Sequence, residues 1–477
     1  MSQNFQESEE IERRVSEIAI EKLEENKPVT AELQLESVEI LETRIRRYTI
    51  IVYAVAFITG ILNFAQLPNF YYFKDDLKEK PGVYVEAVSF ASYPWTIKPL
   101  FGYLQDSFYL FGYRSKAWFV LSCSLGAFIS FQLYLSKPSV SMFTFYYLLL
   151  NIGVVISDVM ASGLSLVIVN LKKAHAEAIG EREKRRNSEI AAFVDSGTKK
   201  GKKVYGNYIL LRFMVRNIGK FVGGVLAKSI SLNSVYAVVG LVQVSVLALL
   251  LVIPETREVK WFNPEVGNIL TLLKQTFKAL WRKELMLPFS LVLLSRICPD
   301  VSESGNYITT DEMKWTPLQL SFNILASSLL YFAMMLYIIN WSENMSFRTK
   351  MYIAALSGLS ANYIFYRFVM YEDLGFYVMY ALNILATIFS NLNFEFFMIA
   401  FVGKLSTFCP KGMEGFVVAV VMSVMNFFGI QGNMIGAKLM NHYKIEKGSY
   451  DNQIYPMAIA FFYSAFVLLL APILAKE

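Results

Sequence analysis

Apolar residues in this chain gather in long runs rather than alternating with polar ones. Roughly 20 consecutive apolar residues cross a bilayer as a helix. From residue 48 onward, runs of about that length recur, divided by short polar stretches. The pattern predicts spans at 48–66, 84–104, 116–135, 141–170, 205–231, 233–253, 284–302, 316–340, 349–369, 374–398, 411–432 and 453–473. Residues 1–47 break the pattern. They are mixed-charge and helix-prone, and predict a charged cytoplasmic region with a surface helix around 8–26. That region reads either as a solvated tail or as a docking segment for membrane-protein partners. Between the sixth and seventh spans, Val266, Ile269, Leu270, Leu273, Phe277, Leu280 and Trp281 recur at helical spacing. Segment 254–283 is therefore expected to hold an amphipathic helix along the inner membrane surface.

Composition agrees with this all-α membrane reading. Of 477 residues, 55% are hydrophobic and 15% aromatic, and mean hydropathy is +0.40. The net charge of +6 is concentrated in a few loops. With the N-terminus inside, the basic clusters at 114–116, 172–203, 257–283, 348–350 and 404–411 all fall on the inner side. That asymmetry orients a multi-pass protein with both ends in the cytoplasm, and does not suggest nucleic-acid binding. Cys123, Cys298 and Cys409 are far apart, and His175 and His442 are the sole histidines. Neither a metal site nor a disulfide framework is expected. No nucleophile–base arrangement or phosphate-binding glycine loop points to an enzyme, and no cofactor is expected. The polar, acidic N-terminus does not read as a cleavable signal peptide or a transit peptide.

One stretch organises the rest. Residues 94–106 read PWTIKPLFGYLQD, and residues 111–116 read FGYRSK. Two membrane-length segments are joined by a tight charged hairpin. Gly102 permits close helix approach. Asp106 suits a helix N-terminus or an arginine. Gly112 and Arg114 complete the turn. Tyr113-Arg114-Ser115-Lys116 has an echo in Phe347-Arg348-Thr349-Lys350, between the eighth and ninth spans. The string PW-x-IKPL-x-G-x₃-D, followed by GYR-x-K, resembles the folate–biopterin transporter family of the major facilitator superfamily. Cys409-Pro410-Lys411-Gly412-Met413-Glu414-Gly415 resembles that family's opening of the eleventh helix.

The resemblance implies twelve transmembrane helices in two pseudo-symmetric six-helix bundles, 48–253 and 284–477, around a midplane site. It also implies a secondary transporter of folates or pterins, coupled to protons as a symporter. The cargo expected is a small, planar, anionic solute. Gly102, Asp106, Gly112, Arg114, Arg348 and Glu414 are the expected latch residues. Glu395 is read in the same way. The alternative, from a different class, is a transporter fold serving as a structural subunit of a larger membrane complex.

Ionisable groups inside spans are costly and mark a pathway or a pair. Asp158 in the fourth span and Arg216 in the fifth lie about 12 residues from the expected inner ends, roughly 18 Å deep. They are expected to face a central cavity and to pair. Arg296, at similar depth in the seventh span, is followed by Asp300 and Glu303. The resemblance suggests Arg216, Arg296 and Lys98 for cargo carboxylates and Trp95 for stacking on a flat ring; Trp95 reads equally as a packing residue and Lys98 as a loop-end anchor. In one respect the chain departs from the family. Where a second aspartate and a further acid usually follow in the fourth span, it has Ser162 and Val167. Two acids four residues apart would share a helix face and could hold a proton between them.

Overall fold

The computed structural model describes residues 31–113, 115–184, 211, 213–227, 229–252, 268–342, 345–370, 375–408 and 414–475. The surface helix expected around 8–26, Arg114 and Cys409 lie outside the described residues. So do the side chains of Asp106, Val167 and Glu414. Among the described residues the structure is helical, with two isolated bridges, Leu110–Tyr113 and Glu446–Ser449, in turns.

The helices are α1 (Ala31–Ile61), α2 (Gln66–Tyr71), α3 (Pro81–Ala91), α4 (Lys98–Ser107), α5 (Lys116–Leu135) and α6 (Val140–Lys184). Next come α7 (213–226), α8 (Leu232–Val252), α9 (Ile269–Leu280), α10 (Lys283–Arg296) and α11 (Ser302–Asp311). The last five are α12 (Pro317–Ser342), α13 (Phe347–Met370), α14 (Phe376–Phe408), α15 (Glu414–His442) and α16 (Ile454–Leu474). Eight stretches are long and apolar enough to cross a membrane. They are Leu41–Asp76, α5, Val140–Ser165, α8, Pro317–Met335, Phe376–Phe401, Phe416–His442 and Asp451–Leu474.

The remaining expected spans fall short for identifiable reasons. The second is broken between α3 and α4 at Tyr93–Ile97, where Pro94 supplies no N–H for the helical ladder. The seventh is broken between α10 and α11, around Pro299. The fifth is described as a continuous helix only over 213–226, where it carries Arg216 and Lys220, and the ninth is rich in polar residues. Several helices also outrun their expected bounds. The first begins at Ala31 rather than near 48. The 45 residues of α6 reach roughly 68 Å, through a segment expected to be loop. Within the expected linker, α9 leaves Leu270 and Phe277 exposed, and Trp281 is exposed just beyond its end.

The hairpin is a tight turn. Phe111 and Gly112 both have positive φ, 55° and 79°, beside the Leu110–Tyr113 bridge. Two successive positive-φ positions belong to the turn type whose twist suits a hairpin, and glycine takes one without strain.

Three apolar clusters locate the core. One joins both sequence halves at the end far from the hairpin, with Phe70, Phe73 and Tyr84 packed among Tyr307, Trp315 and Met440. Edge-to-face rings (Phe70–Tyr307 at 5.0 Å) knit it together. Around this far end, ion pairs also cross between halves. Lys74 meets Asp311 at 2.6 Å with both side chains largely buried, and Lys447 meets Asp75 at 3.0 Å in the open. Lys80 pairs with Glu446. At the hairpin end the two other clusters stay apart. One holds Ile51, Trp118 and Leu250, and the other Leu285, Phe401 and Val421, with Phe213 alone among the described residues reaching it from the first half.

Candidate functional site

A cavity of about 380 Å³ lies between the halves, below the closed far end. The α1–α2 region departs from α-helical geometry at Leu62–Ala65, and presents Thr59, Asn63, Gln66 and Asn69. Asn63, Gln66 and Asn69 recur every third residue, which gathers amides on one side of an otherwise apolar helix. From α3 come Tyr84 and Ser89, and from α6 Tyr147 and Asn151. In α7, Lys220 follows Arg216 by one turn, so the two share a face. The second half contributes Asp300, Glu303 and Asn433.

The break in the seventh span places the acids. Unwinding around Pro299 lets the Asp300 amide donate to Gly432 O of α15 (3.2 Å). A β-carbon at Gly436 would collide with the Asp300 carbonyl, so glycine is needed for this approach. Ser302 N donates to Asp300 Oδ1 (2.9 Å), and Asn306 Nδ2 donates to Glu303 Oε2 (2.8 Å).

Trp95, at the break in the second span, also lines the cavity. Its Nε1 donates to Asn151 Oδ1 at 2.9 Å, and Asn426 Nδ2 of α15 donates to its carbonyl at 3.2 Å. Lys98 Nζ sits 4.5 Å from the centre of the Trp95 ring and 2.6 Å from Asp158 Oδ2. Asp158 is buried, and Ser162 Oγ donates to its carbonyl oxygen at 2.9 Å.

Of the residues expected to meet solute, then, Trp95 is in the cavity wall, and Lys98 and Asp158 form an ion pair behind it. Sequence reasoning matched Asp158 with Arg216; the ion pair found is with Lys98. Arg216 stacks over Phe213 (5.3 Å) and lies in the field of Glu395, which accepts a hydrogen bond from Tyr331. Arg296 lies 5.1 Å over the Phe394 ring and against Gly429, and its buried Nε has no hydrogen-bond partner among the described residues. Arg348 Nε donates to Ala475 O at 3.3 Å, and Gly102 faces Val159 of α6. Sequence reasoning gave no role to Lys220, although its spacing from Arg216 was a usable signal, nor to the amides at 63, 66 and 69.

The chemistry on offer is non-covalent: flat aromatic faces, carboxamides that can donate or accept, one ammonium and two carboxylates. Comparison with known proteins agrees. A folate-biopterin transporter of Synechocystis sp. is 22% identical over 412 residues, covering 84% of this chain and 76% of its own. The Arabidopsis thaliana protein named "Probable folate-biopterin transporter 7" is 23% identical over 426 residues, 84% and 87% of the two chains. These relatives are transporters, and the chain is not an enzyme. Among solved structures, the nucleoside transporter NupG superposes with TM-score 0.61 at 14% identity, over 90% of this chain and 98% of its own. A POT family transporter in complex with 5-aminolevulinic acid gives 0.60 at 14% identity, over 91% and 96%. The sequence profile of the BT1 family matches residues 59–178 and 208–477, so the chain belongs to that family, the folate–biopterin transporters.

Proposed function

We propose that the protein is a secondary-active carrier that moves a small, planar, folate- or pterin-like solute by alternating access. In this reading two six-helix bundles, 48–253 and 284–477, rock about the central cavity, and both chain ends face the cytoplasm. One observation carries it. The cavity is walled by residues from both halves, with ion pairs and a shared apolar cluster across one end and separate clusters at the other. A site near the repeat interface, sealed on one side at a time, is what a rocking carrier requires.

Trp95, Tyr84 and Tyr147 offer flat faces for a fused ring, and the amides match a heterocycle edge that both donates and accepts. Lys98 and Asp158 hold Trp95 from behind. Arg216 and Arg296 remain candidates for cargo carboxylates, and Gly102, Asp106, Gly112, Arg114, Arg348 and Glu414 for the inner latch. Reconstitution into liposomes tests the function directly. Uptake of folate or biopterin, stimulated by an inward proton gradient, is expected for a symporter. Absence of uptake for either solute, with or without the gradient, would overturn the reading and return weight to a structural-subunit role.

A further inference from the structure

The charges in the cavity wall have opposite signs and come from opposite halves. Lys220 stands on α7; Asp300 and Glu303 stand where the seventh span breaks. Lys220 and Glu303 lie within each other's electrostatic field, yet no direct ion pair joins Lys220 to a carboxylate among the described residues. Arg216, one turn away, repels Lys220 instead of neutralising it. Each acid engages one oxygen locally, Asp300 with the Ser302 amide and Glu303 with Asn306. Their second oxygens accept no hydrogen bond among the described residues. Lys220 and Glu303 are half-buried, while Asp300 is exposed; partly desolvated charges left apart are costly, and a guest that supplies the missing partners recovers that cost.

We infer that Lys220 and Glu303, aided by Asp300, set specificity by selecting a dipolar solute and rejecting a plain anion. The solute offers an amino or amidine N–H edge to the carboxylates and a carbonyl or carboxylate oxygen to the ammonium. The inference rests on the cavity being the solute site, as proposed above. The sign of the wall decides against an anion, since two carboxylates face one ammonium. Hydrogen-bonding requirements decide against a purely apolar ring. A site built around buried polar groups discriminates strongly against guests that leave them unpaired. A pterin head presents a paired, amidine-like N–H edge beside a carbonyl, whereas the p-aminobenzoylglutamate tail of folate has only isolated N–H donors and adds two carboxylates that the acids repel. Such a guest would also tie α7 of one half to α11 of the other.

Binding to the purified full chain, followed by quenching of tryptophan fluorescence, tests this with three probes: biopterin, folate and p-aminobenzoylglutamate. Biopterin and folate should bind within about fivefold of one another, and the tail fragment at least ~20-fold more weakly. Lys220→Met and Glu303→Gln should each weaken biopterin roughly tenfold or more. Lys220→Arg and Glu303→Asp keep the charges; their retained binding and unchanged melting would separate recognition from misfolding. A tail fragment that binds as tightly as folate, or Glu303→Gln tightening folate, would overturn the inference, as would a wild-type protein that binds neither biopterin nor folate. The two readings fail differently. The expected binding pattern without liposome uptake would remove transport and leave recognition standing. Pterin uptake indifferent to both neutralising variants would do the reverse.

Discussion

Replacing Asp158 with asparagine should destabilise the protein, and the structure sets the size of the effect. The Lys98 Nζ–Asp158 Oδ2 separation is 2.6 Å, and the side chains are 14% and 3% exposed. At an effective dielectric constant of about 20, unit charges that close attract by about 6 kcal/mol. Desolvation of both groups opposes most of that in the intact pair. Removing Asp158 takes the carboxylate from a largely buried Lys98, which costs about 3–5 kcal/mol. Lys98 keeps the face of Trp95, and that cation–π contact retains up to about 2 kcal/mol. The loss for Asp158→Asn should therefore fall near the lower part of that range, and Lys98→Met should also destabilise. The double variant removes both members of the pair, so its loss should be clearly smaller than the sum of the two single losses. Thermal melting of the purified protein, followed by tryptophan fluorescence, measures all three. Stabilities that simply add, with the double variant as weak as the sum of the singles, would refute the pairing argument. Uptake by the double variant then separates a structural pair from a coupling one. Transport that survives without either charge would remove both residues from the coupling mechanism.

Two further perturbations probe the far end and the broken seventh span. Lys74→Met removes the buried ion pair with Asp311 and the contacts of its ammonium with the Phe70 and Tyr307 rings. It should favour opening of the far end, read as at least ~3-fold faster labelling of a cysteine placed at Ser89 by a membrane-impermeant thiol reagent; an unchanged rate would mean the pair does not hold the gate. Gly436→Ala places a β-carbon against the Asp300 carbonyl and should cost about 1–3 kcal/mol by overpacking, seen as a lower melting temperature; Gly448→Ala meets no neighbour but carries φ +79°, so its loss should be backbone strain of about 1 kcal/mol.

How far the sequence could be read depended on the kind of information each residue carries. Apolar runs report burial in lipid or core: eight of the expected spans are long and apolar enough to cross a membrane among the described residues, so an all-helical membrane protein was legible. So was the Phe111-Gly112 turn, because glycine between two long runs has few other uses. The bounds of α1 and α6 were not, because a charged helix continuing past the membrane looks like loop when hydropathy is the guide. Charge within spans was visible, but its partners were not. Lys98 reaches Asp158 because the break at Tyr93–Ile97 re-aims α4, a three-dimensional consequence of Pro94 that linear depth counting ignores. For the same reason Asp300 and Glu303 were noticed only as neighbours of Arg296, although unwinding at Pro299 brings them, and not Arg296, to the cavity wall. In Lys220 the signal was present as a one-turn repeat after Arg216. The amides were hidden because asparagine and glutamine within an apolar helix serve packing and binding equally well.

Alternating access requires the far end to part from its closed arrangement in each cycle. Asp75 and Lys447, exposed and 3.0 Å apart at their charged tips, offer the direct test. With the native cysteines replaced, cysteines at these two positions would be joined by a short, reducible bifunctional thiol reagent and solute uptake measured before and after reduction. The account predicts that uptake stops while the positions are joined and returns when the link is cleaved. Full-rate uptake with the far end locked would contradict it.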